Sequence, residues 1–388
     1  MARIGIDATA VAPNGKGVSR YEKNLIQTLC ELDSRHEYYV FLNGAVGKSW
    51  FSERPNVHWV RIPIWKKFFC EQFQFPYYAK KLKLDLIQQT SYRLSFLSSV
   101  PTVLCIFEAP YFRSQWANKW QKQKSWYAKI SDRLTLSFFP KSLRIAKRIL
   151  VGSQNTKNSL MKSFNIASNK IRVVYLGCEE SFKPLSQSRT RSTAMNEFGI
   201  SGKYILHFAT GDFRENTELV LKAFQGVRKR LDNGIQLVLA GGGAYCLERD
   251  LAHDVVKLPF LAEEKLIALY QGASLYVDPS FYEGFGFQIL EAMACGIPVI
   301  ASNATSIPEI LGSAGLLIDP TDSNALEEGM IRVLRDQNLW NQMRDQGIEQ
   351  AKRFNWQKAA LETLSVYEEI LGLEAPKPLR SRDHVLVQ

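Results

Sequence analysis

Short runs of β-branched and apolar residues alternate with longer amphipathic stretches, and the alternation is played through twice. In the first half the strand candidates are Ile4–Ile6, Tyr38–Leu42, Val57–Ile62, Leu86–Gln88, Thr102–Ile106 and Arg148–Val151. In the second they are Tyr204–Phe208, Gln236–Ala240, Val255–Leu258, Leu275–Val277, Pro298–Ala301 and Gly315–Leu317. Helical spacing lies between most of them, at Tyr21–Leu32, Thr156–Phe164, Glu218–Leu231, Glu263–Gln271, Phe287–Cys295 and Asn324–Arg335. Strand–helix alternation predicts parallel sheets with helices on both faces. A length of 388 residues suits two such units. The polar segment Pro184–Thr193 separates them. The expectation is an α/β protein of two Rossmann-like domains, 1–180 and 201–355, joined by a linker at 181–200. A ligand cleft should lie between them, at the C-terminal ends of the strands. Trp356–Leu371 carries a further helical stripe, and the Pro-rich, charged residues 373–388 read as a disordered tail.

Composition removes several classes. Six scattered cysteines form no C-x-x-C pair, and the five histidines show no ligand spacing, so neither a disulfide framework nor a zinc site is expected. The N-terminus lacks signal-peptide features, and no uncharged apolar run approaches the ~18–20 residues that span a bilayer. A cytoplasmic location follows as an expectation. The net charge is +11. Its basic excess sits in residues 1–180, which suggests an anionic acceptor or membrane surface facing that half. Residues 113–148 interleave lysines and arginines with Trp116, Trp120, Trp126, Tyr127, Phe138 and Phe139. That mixture suits peripheral contact with the inner face of an anionic membrane, or a basic helix pair with core aromatics. It matches no nucleic-acid module.

The chemistry concentrates in "FYEGFGFQILEAMACG", Phe281–Gly296. Gly284 and Gly286 would let the backbone approach a ligand. A helix beginning near Phe287 offers free N–H groups and a favourable dipole to phosphate. Glu291, one to two turns in, is placed to accept two ribose hydroxyls, and Glu283 lies on the sugar side. Spacing alone fits an exposed loop–helix junction equally well.

The longer pattern resembles the retaining glycosyltransferases of family 4, the group 1 glycosyl transferases with two Rossmann-like domains (the GT-B fold). It comprises Pro279-Ser280, Glu283-Gly-Phe-Gly286, Leu290-Glu-Ala-Met-Ala294, Gly296, Pro298-Val299 and Ala301-Ser302. "SIPEILGSAGLLIDPTD" (Ser306–Asp322) and "RFNWQKAA" (Arg353–Ala360) extend it, and "NGKGVSRYEKNL" (Asn14–Leu25) looks like the family's first glycine loop, with Ser19 at its second glycine. The resemblance implies a nucleotide diphosphate sugar as donor, a glycan or lipid-linked acceptor, and no required metal. It also implies that the last helix, 356–372, returns to the first domain. Glu283 and Arg214 would be catalytic. Glu291, Gly284, Phe285, Gly286, Gly17, Gly241, Gly242 and Asn216 would bind the donor, and Glu108 and Phe107 would face the acceptor. Two positions depart from the family pattern. Glu215 stands where a lysine neutralises the diphosphate, so it points elsewhere, leaves Arg214 to act alone, or marks a damaged site. Phe107 replaces a histidine and reads more readily as core at a strand end. Both departures keep open a non-catalytic binding or scaffold protein of the same fold.

Overall fold

The strands assemble into two separate parallel sheets. The computed structural model describes residues 1–12, 15, 17–43, 53–63, 67–108, 126–185, 198–231, 234–243 and 253–373. The first sheet comprises β1 (Arg3–Ala8), β2 (Glu37–Asn43), β3 (Val57–Ile62), β4 (Leu86–Gln89), β5 (Thr102–Ile106), β6 (Arg148–Val151) and β7 (Ile171–Val173), in the order β3-β2-β1-β4-β5-β6-β7. The second comprises β8 (Tyr204–Phe208), β9 (Gln236–Ala240), β10 (Val255–Leu258), β11 (Leu275–Asp278), β12 (Val299–Ser302) and β13 (Leu316–Ile318), in the order β10-β9-β8-β11-β12-β13. Every pairing is parallel.

This is why the central strands read as unbroken apolar runs. Ile4, Ile6, Leu86, Val103, Leu206, Val238 and Val277 are fully covered, because helices occupy both faces. In each sheet the strand order reverses between neighbours, at β1/β4 and at β8/β11. Those reversals open crevices at the strands' C-terminal ends.

The helix Trp356–Leu371 is capped by Asn355, whose side chain accepts from the Lys358 N–H. It packs on the helix Gly17–Leu32 of the first half. Its Tyr367 hydroxyl donates to Gln88 at 2.6 Å, and its Glu368 pairs with Arg35 at 2.6 Å. The last helix therefore belongs physically to the first sheet.

Several elements escaped the sequence reading. β7 has three residues, too few to show a period. The helix Gln337–Ala351 buries only Met343, Gly347 and Ala351, so its apolar stripe is faint. The helix Gly17–Leu32 starts one turn before the expected Tyr21. The linker residues 186–197, the tail residues 374–388, and Trp116 and Trp120 of the basic aromatic stretch lie outside the described residues. Among the described residues, no helix is long and apolar enough to cross a membrane.

Candidate active site

β11 ends at Asp278, and its carboxylate binds the chain that follows. It accepts from the Ser280 hydroxyl at 2.5 Å and the Tyr276 hydroxyl at 3.0 Å. The next loop is pinned from β12 and beyond. Ser302 donates to the Ser280 carbonyl (2.6 Å), Ser306 to the Glu283 carbonyl (2.8 Å), and the Glu283 N–H donates to Thr305 Oγ1 (3.0 Å). Gly286, at φ 106° and ψ 53°, turns the chain into the helix Phe287–Ala294. Only a residue without Cβ adopts that conformation cheaply. No described residue accepts from the backbone N–H groups of Phe285 and Gly286.

This loop faces a cavity of about 660 Å³ walled by both halves of the molecule. Glu283, Gly284, Phe285, Gly286, Glu291, Arg214, Gly17, Gly241, Phe107 and Glu108 all line it. Ten of the sequence-predicted residues are thus brought to one place, from segments 274 positions apart at the extremes (Gly17 and Glu291).

Two are not. Asn216 is 9% exposed and donates to the carbonyls of Pro279 (3.1 Å) and Pro320 (2.7 Å), so it ties loops behind the cavity wall. Gly242 donates its N–H to the Leu258 carbonyl at 3.0 Å and closes the turn after β9. Gly284 lines the cavity and also meets the first half. The space its missing Cβ leaves is filled from the first half, since a Cβ there would lie 2.4 Å from the Phe107 carbonyl oxygen. The absence of a Cβ thus also permits the close approach of the two halves here.

Glu215 does not line the cavity, although Thr210, which its carboxylate binds, does. Its carboxylate turns back to the Thr210 N–H at 2.7 Å and Thr210 Oγ1 at 2.5 Å. Burial raises its pKa, and the two Thr210 bonds oppose the shift. Glu215→Ala is therefore expected to loosen this turn, lowering stability by about 1–2 kcal/mol, while nucleotide affinity changes less than about threefold. Thermal melts and titration calorimetry on the variant measure the two effects. A large gain in affinity would show that the charge does reach the site.

Arg214 sits in the cavity wall with carboxylates on both sides. Its Nε and Nη2 bind Asp212 Oδ2 at 3.0 and 2.7 Å, and its Nη1 binds Glu108 Oε2 of the first half at 2.8 Å. Burial alone would lower its pKa. The Asp212 bond and the charges of Glu108, Asp212 and Glu283 outweigh that and raise it. Phe107 is half-buried, edge-on to Tyr21 with ring centroids 4.5 Å apart, and also reaches the cavity. It is core and lining at once.

Glu283 has no hydrogen bond to its carboxylate among the described residues. Its pKa is pushed up to about 8, first by burial and then by the Asp278 charge. Arg214 opposes this, and Glu108 and Glu215 add to it. Glu291 is 2% exposed and accepts from the Tyr270 hydroxyl at 2.7 Å. It also forms an ion pair with Arg20, which reaches it from the first half.

Sequence reasoning missed Arg20, Glu179, Tyr270 and Glu309. Glu309 accepts from the N–H groups of Gln154 (2.8 Å) and Asn155 (3.0 Å) and from the Tyr175 hydroxyl (3.1 Å). A carboxylate of the second half thus caps a helix of the first. Arg20 and Glu309 lay inside quoted motifs, but nothing local reveals a partner more than 150 residues away. Among the described residues, no group of three or more His, Cys, Asp or Glu side chains is placed to hold a metal ion.

Two Rossmann-like domains with this cleft between them form the GT-B architecture. It is shared by sucrose-phosphate synthase from Thermosynechococcus elongatus (TM-score 0.75, 20% identity, 96% of this chain and 100% of that one). HepE of Anabaena, solved with UDP and glucose, shares it too (TM-score 0.69, 19% identity, 96% and 100%). At such identities the likeness concerns the fold alone. Residues 191–353 match the family description "Glycosyl transferases group 1", so the second half of the chain carries that family's domain. The O-antigen chain mannosyltransferase B of Escherichia coli is 32% identical over 238 residues, 58% of this chain and 62% of that protein. The MMP alpha-(1->4)-mannosyltransferase of Mycolicibacterium hassiacum is 29% identical over 257 residues, 64% and 61%. The chain thus spans less than two thirds of the length of these curated relatives.

Proposed function

We propose that the protein is a retaining glycosyltransferase. It moves a sugar from a nucleotide diphosphate sugar to a hydroxyl of a glycan or lipid-linked acceptor in surface polysaccharide or glycolipid synthesis. The observation that carries this reading is the convergence of Glu283, Gly286, Glu291 and Arg214 on one cleft between two parallel sheets. Glu291 takes the ribose diol, and Glu283 takes hydroxyls of the transferred sugar. The helix start at Phe287 and the Arg214 guanidinium face the diphosphate. No step needs a metal in this scheme, since fixed dipoles and a guanidinium stabilise the leaving phosphates. Closure of the halves excludes water and so limits hydrolysis of the donor. The mannosyltransferase relatives favour a hexose. The basic first half favours an acceptor presented at an anionic surface, peripheral to the inner face of a membrane.

One observation favours a second reading, a nucleotide-sugar-binding scaffold without turnover. The cations among the described cavity-lining residues, Arg20 and Arg214, are both already paired with two carboxylates. A diphosphate must therefore displace or share one of those pairs. Turnover of a nucleotide sugar, lost in Glu283→Gln, separates the two readings, and titration calorimetry with UDP, GDP and ADP tests the nucleotide site that both require. The expected result is micromolar binding of one nucleotide, weakened at least about 100-fold by Glu291→Ala. No binding at millimolar concentration would overturn the enzyme reading.

A further inference from the structure

A buried carboxylate that grips a diol has to remain charged, and has to keep one lone pair free on each oxygen. Glu291 is held in a way that answers both needs. Its Oε2 accepts from Tyr270 at 2.7 Å within its own half, and its Oε1 pairs with Arg20 from the helix Gly17–Leu32 of the other half. A carboxylate offers about four lone-pair sites. Two are used, one on each oxygen, and two remain for hydroxyl donors.

Arg20 does not reach this position as a loose side chain. Its Nε donates to Glu179 Oε1 at 2.9 Å, and its Nη2 pairs with Glu179 Oε2. Asn24 donates to the same Glu179 Oε1 at 2.9 Å. The guanidinium lies over the Phe287 ring, 4.9 Å from its centroid. A bidentate clamp with a stacked aromatic fixes the guanidinium plane. The clamp leaves Nη1 as the guanidinium nitrogen facing Glu291, to which it donates.

We propose that Arg20, clamped by Glu179, is a positioning residue for the nucleotide site, orienting Glu291 from the opposite half so that its carboxylate accepts a vicinal diol. The inference rests on the reading of Glu291 as the ribose ligand given above. Its consequence is that the diol site is divided between the halves. Recognition of the ribose then requires the first half to be docked, although the second half carries the ligating oxygens. Burial raises the Glu291 pKa, and the Arg20 charge and bond are the largest influences opposing it. Without Arg20 the carboxyl would hold a proton more readily and offer fewer acceptor sites.

The test is the ratio of ribose to 2′-deoxyribose affinity, measured by calorimetry with UDP, GDP, ADP and their 2′-deoxy counterparts. Wild type is expected to prefer the ribose form of its nucleotide by about 10–100-fold. Arg20→Ala should bring the ratio below about threefold while changing 2′-deoxy affinity little. Raising the pH should restore part of the preference, as Glu291 ionises. Arg20→Lys, which keeps the charge and loses the clamp, should fall between. Equal weakening of both nucleotide forms in both Arg20 variants would reduce Arg20 to an inter-domain tie and overturn the inference. Glu291→Ala separates the two levels. If it leaves the ratio intact, the ribose reading itself fails. If it abolishes the ratio while Arg20→Ala does not, only the role of Arg20 fails. Absence of binding to wild type overturns both.

Discussion

Glu283→Gln is expected to make the protein more stable at alkaline pH and to remove its transfer activity. The carboxyl titrates near 4.5 when unperturbed and near 8 in the folded chain. The fold therefore prefers the protonated form. Stability is undiminished below about pH 4.5, is lost progressively as pH rises through the folded value, and the full cost is present above it. Glutamine cannot ionise and escapes that cost. The variant should match wild type at pH 5 and exceed it by about 2–4 kcal/mol at pH 9, read as a rise of about 5–10 °C in Tm. Activity should move oppositely. A carboxylate that accepts two sugar hydroxyls must be ionised, so wild-type transfer should rise between pH 7 and 9. The variant should be flat with pH and at least about 100-fold slower at pH 9. Thermal melts and initial rates on the same two proteins give both curves. If the variant keeps full turnover while wild-type activity falls above pH 8, the neutral acid is the working form. Such a trade of stability for function is common where a site holds a group in an unfavourable state.

Gly284→Ala should act through the distance between the two halves. The added Cβ meets the Phe107 carbonyl oxygen at 2.4 Å and the carbonyl carbon at 3.0 Å. These are backbone atoms at the end of β5, so no side-chain rotation relieves the clash. The halves must separate by about an ångström, or the loop must deform. Either movement loosens the Ser153 hydroxyl bond to the Gly284 carbonyl (3.0 Å) and the Arg214–Glu108 pair (2.8 Å). A misplacement of this size can cost about 100-fold in rate. We expect that loss in kcat, with nucleotide affinity retained within about tenfold and Tm lowered by a few degrees. Gly286→Ala is the contrasting change. Nothing lies closer than 3.6 Å to its Cβ position, but its positive φ strains any L-residue. That variant should lose about 1–2 kcal/mol of stability without widening the gap between the halves. Small-angle scattering on both variants distinguishes the mechanisms. Unchanged activity in Gly284→Ala would mean that the contact at Phe107 is not needed during turnover.

The two sheets were legible because a strand covered on both faces is written as an uninterrupted apolar run. Thr102–Ile106, buried throughout, keeps its expected bounds, and so do Tyr204–Phe208, which carries one buried histidine, and the edge strand Val255–Leu258, which a lysine interrupts. The loop–helix junction at Gly286 was legible for a related reason. A backbone at φ 106° strongly favours glycine, and Glu283 and Glu291 are placed by that turn. Neither Gly242 nor Asn216 could be judged in the same way. A glycine after a strand and an asparagine before a helix look alike whether they face a ligand or, as here, bind neighbouring backbone.

What the amino-acid order determined by itself was local and periodic: the strands, the helices, the turn and the two glutamates beside it. What only the tertiary structure decided was the charge state and company of those residues. Glu215 turns inward to Thr210, Arg214 is shared between Asp212 and Glu108, and Glu291 is met by Arg20 from 271 positions away. Each is an electrostatic choice among partners, of which Thr210 and Asp212 are near in sequence while Glu108 and Arg20 come from the other half. Burial and separation set its energy, and both come into existence only when the two sheets close on one cleft.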